Sequence, residues 1–322
     1  MKLGVITVLF GDMPLDAALK KVKTFGIETV EIGCGGFPGK QHCDPAVLLA
    51  DEAKLEEFKE TFKRNDIEIC ALSSHGNMVH PLESERKRYS DDLDNAILLA
   101  EKLGIDTVVT FSGCPGGSPE DKTPNWITCP WPHDFSEALE YQWNEVLIPY
   151  WKKECEFARA HGVTKIALEM HPGFCVYNPE TLLRLRDAVG DTIGANLDPS
   201  HLIWQGIDPV EAIRQLAGAI YHFHAKDTKV DRANTLRNGV LDTKSYDKVL
   251  TRAWSFRSVG YGNGLDFWRE IVSNLRLVGY DKVISIEHED ILMTSDEGLR
   301  HAADFLLESI IREPSPTTAY WV

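Results

Sequence analysis

Short apolar segments recur along the chain, and a stretch with the periodicity of an amphipathic helix follows each one. The apolar segments are rich in Val, Ile, Phe and Thr and too short for helices, so we predict β-strands. The helical stretches begin near Pro, Asp or Asn and end near Gly, which matches the capping chemistry of helices. Eight strands are predicted, at residues 3–10, 29–35, 67–76, 106–113, 165–171, 193–201, 220–227 and 282–290.

Eight strands alternating with helices predict an α/β protein with a parallel sheet. The number eight favours a single closed (β/α)8 TIM barrel over an open doubly wound sheet. No G-x-G-x-x-G follows the first strand, which weighs against a dinucleotide fold. We therefore assign residues 1–312 to one barrel domain and residues 313–322 to a C-terminal tail.

Two connections in this predicted barrel are long, at residues 113–140 after strand four and residues 228–265 after strand seven. Long connections in compact domains usually form functional lids or disordered segments. Both contain tryptophan, which favours packed lids, although anchors for the loops or a subunit interface would explain the tryptophans as well.

The last four strands each have one apolar and one polar face, because side chains alternate along a strand. The apolar residues should pack against the helices, so the polar face points to the barrel axis. The carboxyl ends of all the strands open on one rim, where the active sites of such barrels lie. Four polar residues come late in their strands and should meet there: Glu169, Asp198, His224 and Glu287.

Carboxylates that lie so close together would repel each other and lose their charge unless a cation held them. A divalent metal ion is the economical solution. Three oxygen-donor residues and one imidazole suit a hard or borderline ion. We predict one such ion in this site, preferably Mn²⁺, with Mg²⁺, Co²⁺ or Zn²⁺ as alternatives.

Other polar residues of the predicted interior are weaker candidates. His222 also faces inward, but it lies one layer below His224 and is interpreted as a hydrogen-bonded core residue. His75, at the end of strand three, points at the rim. Glu31 on strand two could touch a substrate or pair with a neighbouring base, and both interpretations stay open.

The charge balance argues against nucleic-acid binding. The chain has 49 acidic and 34 basic residues, and its net charge of −15 repels phosphate backbones. The seven cysteines are scattered without a C-x-x-C pair, so we expect reduced thiols in a cytoplasmic protein. The N-terminus lacks a signal-peptide pattern, and no apolar stretch approaches the roughly 18 residues of a membrane span.

The order of motifs resembles the xylose-isomerase-like TIM barrel superfamily. Glu169 is followed by D-P-S-H at 198–201, H-x-K-D at 224–227, R-x-V-G-x-G at 257–262 and I-E at 286–287. That superfamily includes sugar isomerases, ketose 3-epimerases, inosose dehydratases, hydroxypyruvate isomerases and abasic-site endonucleases. The resemblance implies the same four metal ligands. It also matches three further residues to substrate-contacting positions: His201, Lys226 and Arg257.

The resemblance implies a metal-dependent sugar isomerase or epimerase. Glu169 and Glu287 would move a proton next to the carbonyl of a ketose or keto-sugar, via an enediolate. The alternative is a dehydratase or lyase that acts on an inosose or a 3-oxo-glycoside, including carbon–glycoside cleavage, with His75 or His201 as the acid. The expected partner is a small sugar or cyclitol, and a homo-oligomer or a partner subunit stays open.

An abasic-site endonuclease is a remote alternative within the same superfamily. The nuclease branch holds three zinc ions and needs an Asp-x-His pair after strand seven. Here the matching stretch is K-V-D-R-A-N, in which Ala233 stands in the place of the histidine. The additional metals would therefore lack a ligand.

Overall fold

The computed structural model of the protein describes residues 1–314, in which eight parallel strands close into a barrel. Two further strands, β8 and β9, form an antiparallel pair between the seventh and eighth barrel strands. The strands are β1 (Lys2–Ile6), β2 (Thr29–Gly36), β3 (Glu68–His75), β4 (Thr107–Thr110), β5 (Lys165–Glu169), β6 (Ile193–Leu197), β7 (Ile220–Ala225), β8 (Asp227–Val230), β9 (Trp254–Arg257) and β10 (Val283–Ile286).

The barrel order is β1-β10-β7-β6-β5-β4-β3-β2, and pairing of β1 with both β10 and β2 closes it. The predicted (β/α)8 barrel is therefore confirmed. Residues 315–322 of the predicted C-terminal tail lie outside the described residues.

Helices follow the barrel strands and cover the outside of the sheet. They are α1 (Leu15–Lys23), α2 (Pro45–Ala50), α3 (Glu52–Asn65), α4 (Glu83–Leu103), α5 (His133–Tyr141), α6 (Ile148–Ala160), α7 (Pro179–Val189), α8 (Pro199–Gln205), α9 (Pro209–Gln215), α10 (Arg232–Asn238), α11 (Leu265–Leu277) and α12 (Ser295–Ser309). Within residues 1–314, no helix combines the length and apolar character needed to cross a bilayer. All seven cysteines are free.

The start of α7 shows how local chemistry sets these helices. The side chain of Asn178 accepts a hydrogen bond from the backbone N–H of Thr181 at 2.9 Å. The Thr181 hydroxyl in turn accepts from the backbone N–H of Asn178 at 3.1 Å, which completes a capping box. Pro179 occupies the first helical position, where its missing N–H costs nothing.

Side chains of β5 and β7 illustrate the two faces predicted for the late strands. Ile166 and Leu168 of β5 belong to the main core between sheet and helices. His222 and His224 of β7 point into the barrel, where both contact a residue of β2. The interior is tight at Gly194, because a Cβ there would lie 2.4 Å from the ring of Tyr221.

The two long connections are structured and anchored by aromatic residues. The first contains α5 and the second contains the β8–β9 pair and α10. Trp254 stacks on Trp204 with ring centroids 4.6 Å apart, and Trp126 packs edge-on against Tyr177. These tryptophans anchor the connections to the barrel, whereas Trp131 is 78% exposed.

Candidate metal centre

Four side chains converge at the carboxyl-terminal rim of the barrel. Glu169 is the last residue of β5, and His224 is the second-last residue of β7. Asp198 and Glu287 directly follow β6 and β10. One potential ligand atom from each lies within 4.8 Å of the others. We call these four residues the rim cluster; the structure thus brings together the residues grouped from the sequence.

The rim cluster contains buried atoms that other protein groups leave without hydrogen bonds. Among the described residues, neither Asp198 Oδ2 nor His224 Nδ1 makes a contact with hydrogen-bond geometry, although Asp198 Oδ2 is ion-paired with Lys226. His224 Nδ1 lies 3.0 Å from Glu287 Oε2 and 3.3 Å from Glu169 Oε2. The other oxygen of Asp198 accepts from the backbone N–H of Ser200, so this residue also caps α8. Unpaired buried acceptors are costly, and this donor set fits a divalent cation.

Lys226 is the cation that the protein itself supplies to this site. Its Nζ lies 2.9 Å from Glu287, 3.1 Å from Asp198 and 3.2 Å from the nearest oxygen of Glu289. Burial disfavours the charged lysine most strongly, but the three carboxylates outweigh it and hold the pKa of Lys226 well above its ordinary value.

The carboxylates of the rim cluster differ in how well their charge is stabilised. Burial acts to raise each pKa, but the adjacent imidazoles of His201, His224 and His75 hold the pKa of Glu169 well below its ordinary value. Burial likewise opposes the charge of Glu287, and Lys226 and His224 lower its pKa to about 2.

Asp198 is the carboxylate of the rim cluster whose charge is least stabilised. Burial raises its pKa to about 7, and the negative charges of Glu169 and Glu287 add to the rise despite Lys226. A divalent cation would counter this repulsion, because its charge favours the ionised carboxylate.

Glu31 occupies the barrel interior below the rim cluster. Its Oε2 accepts hydrogen bonds from Nε2 of His222 and Nε2 of His224, both at 2.8 Å. The hydroxyls of Ser73 and Ser285 also donate to this carboxylate. Pairing with neighbouring bases, one of the two interpretations left open, is therefore what the structure shows for Glu31. His222 is a buried, hydrogen-bonded residue, as interpreted.

His75 and Lys226 reach the cavity above the rim cluster, whereas His201 and Arg257 do not line it. His75 Nε2 lies 3.1 Å from Glu169 Oε2. His201 Nε2 lies 3.1 Å from the other Glu169 oxygen, and burial lowers the pKa of His201 to about 3, which keeps the imidazole neutral. Contact of these residues with a substrate stays a prediction.

Arg257 is held by a partner of its own. Its Nε donates to Asp290 Oδ2 at 2.8 Å, and the guanidinium lies over the ring of Tyr261. Asp290 itself lies on the cavity wall. The arginine would have to leave or share this carboxylate to bind a substrate.

The cavity has a volume of about 810 Å³ and two kinds of wall. The polar wall carries Glu169, Glu287 and the two residues that reach the cavity. The cavity is also lined by apolar residues, several of them aromatic. Phe111 stacks on Phe174 at 4.3 Å, and Tyr246 stacks on Phe256 at 5.7 Å.

Sequence analysis assigned no role to several of these cavity residues. Glu289 lies two positions after Glu287 on the same predicted face, so the period of two was a usable signal. Tyr246 and Phe256 come from the long connection after β7, whose path no pattern in the sequence reveals.

The family model described as xylose isomerase-like TIM barrel matches residues 19–309. The chain belongs to this family. A relative, the uncharacterized protein YfiH of Bacillus subtilis strain 168, is 41% identical over 312 residues, which cover 96% of this chain and 99% of the relative.

Solved structures similar to this chain are named after more than one activity. The probable 3-DHS dehydratase AsbF of Bacillus anthracis has a TM-score of 0.66 and 19% identity, over 95% of this chain and 99% of that one. A D-tagatose 3-epimerase-like protein has a TM-score of 0.63 and 22% identity, over 96% and 98%. The IolI protein, with a bound zinc atom, has a TM-score of 0.65 and 20% identity, over 96% and 98%. At these identities the likeness shows the fold alone.

Asp227, the last residue of the H-x-K-D motif in this xylose isomerase-like barrel, positions a loop and does not line the cavity. Asp227 Oδ2 accepts backbone N–H hydrogen bonds from Gly260, Gly262 and Asn263 at 3.1, 3.0 and 2.9 Å. A Cβ on Gly262 would lie 2.5 Å from Asp227 Oδ1, so only glycine fits there. The H-x-K-D aspartate therefore shapes the glycine-rich loop that follows Arg257.

Proposed function

We propose that this protein is a divalent-metal-dependent sugar isomerase or epimerase. It would move a proton at the carbon next to the carbonyl of a ketose or keto-sugar. The observation that carries this proposal is the convergence of the rim cluster beside a cavity of about 810 Å³, with two of its buried ligand atoms outside hydrogen-bond geometry with any described residue. Mn²⁺ is the preferred ion, with Mg²⁺, Co²⁺ or Zn²⁺ as alternatives. The zinc in the IolI structure supports metal binding by this fold.

The two glutamates of the rim cluster would carry the proton. Their carboxylates lie on different strands, and both approach His224 Nδ1. Neighbouring imidazoles hold the pKa of Glu169 low, and Lys226 and His224 hold the pKa of Glu287 low. Both carboxylates are therefore ionised, the state in which a carboxylate can accept a proton. A bound metal ion would supply a Lewis acid that polarises the substrate carbonyl. Glu169 and Glu287 would then serve opposite faces of the same carbon.

Two further side chains would orient the substrate. Lys226 and His75 both line the cavity, and both carry N–H groups that can donate to hydroxyl or carbonyl oxygens. Lys226 would bind as a cation, since its pKa is held high by the carboxylates around it.

β-Elimination is the second candidate, and one contact favours it. His75 Nε2 lies 3.1 Å from Glu169, so a base and a potential proton donor adjoin on the cavity wall. Glu169 would remove the proton next to the carbonyl, and His75 would protonate the departing β-substituent. The substrate would be an inosose or a 3-oxo-glycoside. The name of AsbF, a probable dehydratase with a similar fold, supports this candidate.

Deuterium exchange tests both candidates in one experiment. The metal-loaded protein is incubated in D₂O with a panel of ketoses, inososes and 3-oxo-glycosides, and the products are analysed by mass spectrometry. Isomerisation or epimerisation predicts deuterium next to the carbonyl in an isomeric product. Elimination predicts the loss of water or of an aglycone.

The control for this experiment separates catalysis from background exchange. Glu287→Gln should abolish deuterium uptake, whereas Glu180→Gln, at the exposed start of α7, should leave it unchanged. Absence of exchange with every member of the panel, in protein shown to contain metal, would count against carbon-acid chemistry in this site.

A further inference from the structure

Glu31 lies in the barrel interior, where every contact with it is from a donor. It is fully buried, and it receives hydrogen bonds from His222 and His224 and from two serine hydroxyls. An ionised carboxylate can only accept hydrogen bonds. Each imidazole nitrogen that faces Glu31 must therefore carry a proton.

A neutral imidazole carries one proton and one lone pair, so its two nitrogens have different roles. With its proton on Nε2, facing Glu31, a neutral His224 would present the lone pair of Nδ1 to a metal ion on the opposite side. That side is the rim cluster, where Nδ1 lies 3.0 Å from Glu287 Oε2 and 3.3 Å from Glu169 Oε2, two oxygens that would share the ion with it. We infer that Glu31 is a positioning residue, which fixes the His224 tautomer whose Nδ1 can bind the metal ion. This inference rests on the proposed function, because it concerns the same metal centre.

His222 provides an internal comparison for this role. It donates to the same Glu31 oxygen at the same 2.8 Å distance as His224. However, it lines a different cavity, of about 630 Å³, together with Lys165 and Lys282. The two imidazoles thus share an acceptor, but only His224 faces the rim cluster. Loss of Glu31 should weaken metal binding through His224, and loss of His222 should weaken it less.

Replacement of Glu31 by glutamine keeps the shape and removes one acceptor. An amide has one accepting oxygen and a donating NH₂ group. Both imidazole N–H groups face the same oxygen of Glu31. The amide oxygen at that position would be an uncharged and weaker acceptor, and an NH₂ group turned to that side would oppose both N–H groups, so the imidazole tautomer with its proton on Nδ1 becomes more favourable. In His224 that tautomer cannot bind a metal ion. Partners that orient a metal-bound histidine typically contribute roughly 10–100-fold to metal affinity.

The test is a calorimetric titration of metal-free protein with Mn²⁺ and with Zn²⁺. Wild type is compared with Glu31→Gln, His222→Gln and Glu28→Gln. The last variant changes a half-buried glutamate beside the same strand, which pairs with Arg312 at 2.8 Å. We expect Glu31→Gln to weaken the Kd by roughly 10–100-fold. His222→Gln should lower the melting temperature with a smaller effect on the Kd, and Glu28→Gln should leave the Kd unchanged.

A second measurement uses the wild-type protein alone, so it does not depend on whether a variant folds. Long-range ¹H–¹⁵N spectra of the zinc-loaded wild type, with ¹⁵N-labelled histidine, report which nitrogen of His224 carries the proton. We expect the proton on Nε2 and the metal on Nδ1. The reverse arrangement would overturn the inference.

The outcomes separate this inference from the proposed function. Equal Kd values for wild type and Glu31→Gln would overturn the positioning role and leave the metal centre standing. Equal weakening by Glu31→Gln and His222→Gln would also overturn it, because the effect would then be structural. A second bound ion that both variants lose would replace it with a metal site at Glu31, His222 and His224, whose atoms also lie within 4.8 Å of one another. No metal binding by any form would overturn the inference and the proposed function together.

Discussion

The barrel rim and the packing of α4 against α6 both bury carboxylates, and the same residue type behaves differently in the two places. At the rim, the pKa of Glu287 falls to about 2 because Lys226 and His224 outweigh the effect of burial. Between α4 and α6, burial and the charge of Asp94 raise the pKa of Glu154 to about 8. Glu154 Oε1 is buried, and no residue within 1–314 forms a hydrogen bond with it.

The difference between these regions lies in the cations that face the carboxylates. Burial alone drives a carboxylate towards its neutral form, as Glu154 shows. Lys226 and several imidazoles keep the glutamates of the rim cluster ionised. An assembly of ionised groups in a cavity is typical of functional sites. Asp198, whose pKa remains near 7, is the member that still lacks adequate compensation.

Removal of one rim glutamate should have the largest effect on activity. Glu169→Gln or Glu287→Gln removes a proton carrier as well as a ligand, so we expect deuterium exchange to fall by roughly 10²–10⁴-fold. Exchange is measured at metal concentrations that saturate each variant, with bound metal verified. Wild-type rates in a metal-loaded variant would show that the glutamate is not the base.

Lys226→Met should leave the rim carboxylates buried without their lysine, as the carboxylates between α4 and α6 are. The variant leaves three carboxylates without their buried cation, and breaking such a group costs roughly 3–5 kcal/mol. We expect the free energy of unfolding of the metal-free protein to fall by about this amount. Added divalent metal should restore much of the loss.

Lys229, an exposed lysine of β8, provides the control for Lys226. Lys229→Met, on the exposed part of β8, should leave the free energy of unfolding unchanged with and without metal. The measurement is urea denaturation of the metal-free protein. If Lys226→Met also left the free energy of unfolding unchanged, the stability of the rim would not depend on the charge of Lys226.

Glu154→Gln should stabilise the protein at alkaline pH. The folded-state pKa of Glu154, about 8, lies above its ordinary value of 4.5, so the folded protein binds more protons between these values. Stability contributed by the protonated group is complete below pH 4.5, falls as the pH rises and levels off above pH 8. Glutamine removes this loss, which amounts to roughly 2–5 kcal/mol.

The measurement is the free energy of unfolding from pH 5 to pH 9. Glu156→Gln, an exposed position on the same helix, serves as the control and should retain the wild-type profile. A Glu154→Gln profile that stays parallel to the wild type would contradict the raised pKa.

His222→Gln should have the smallest effect of these changes. His222 is buried and hydrogen-bonded to Glu31, so its replacement disturbs a buried polar contact at a cost of roughly 1–3 kcal/mol. Deuterium exchange per metal-loaded chain should persist. Selective loss of exchange at an unchanged melting temperature would show that His222, and not His224, is the functional histidine of β7.

The sequence predicted the rim cluster well because two simple geometric rules determine it. Side chains alternate along a strand, and parallel barrel strands end on one rim. Glu169 and His224 satisfy both rules, and Asp198 and Glu287 lie one position beyond the strands in matching phase.

Contacts between distant segments could not be predicted in the same way. The partner of Glu31 could not be identified, because its hydrogen bonds reach 191 and 193 residues along the chain. Arg257 was matched by its motif, but its pairing with Asp290 depends on the path of the connection after β7. The pattern of α6 predicts a helix, yet nothing in it predicts that Glu154 faces Asp94.

The metal content of purified protein tests the central claim most directly. Wild type and Asp198→Asn are reconstituted with Mn²⁺, freed of unbound ion and analysed by elemental mass spectrometry. The account predicts about one divalent ion per wild-type chain, because the donor set forms a single site, and little or none in the variant. A wild type without metal, or a variant with as much metal as the wild type, would contradict it.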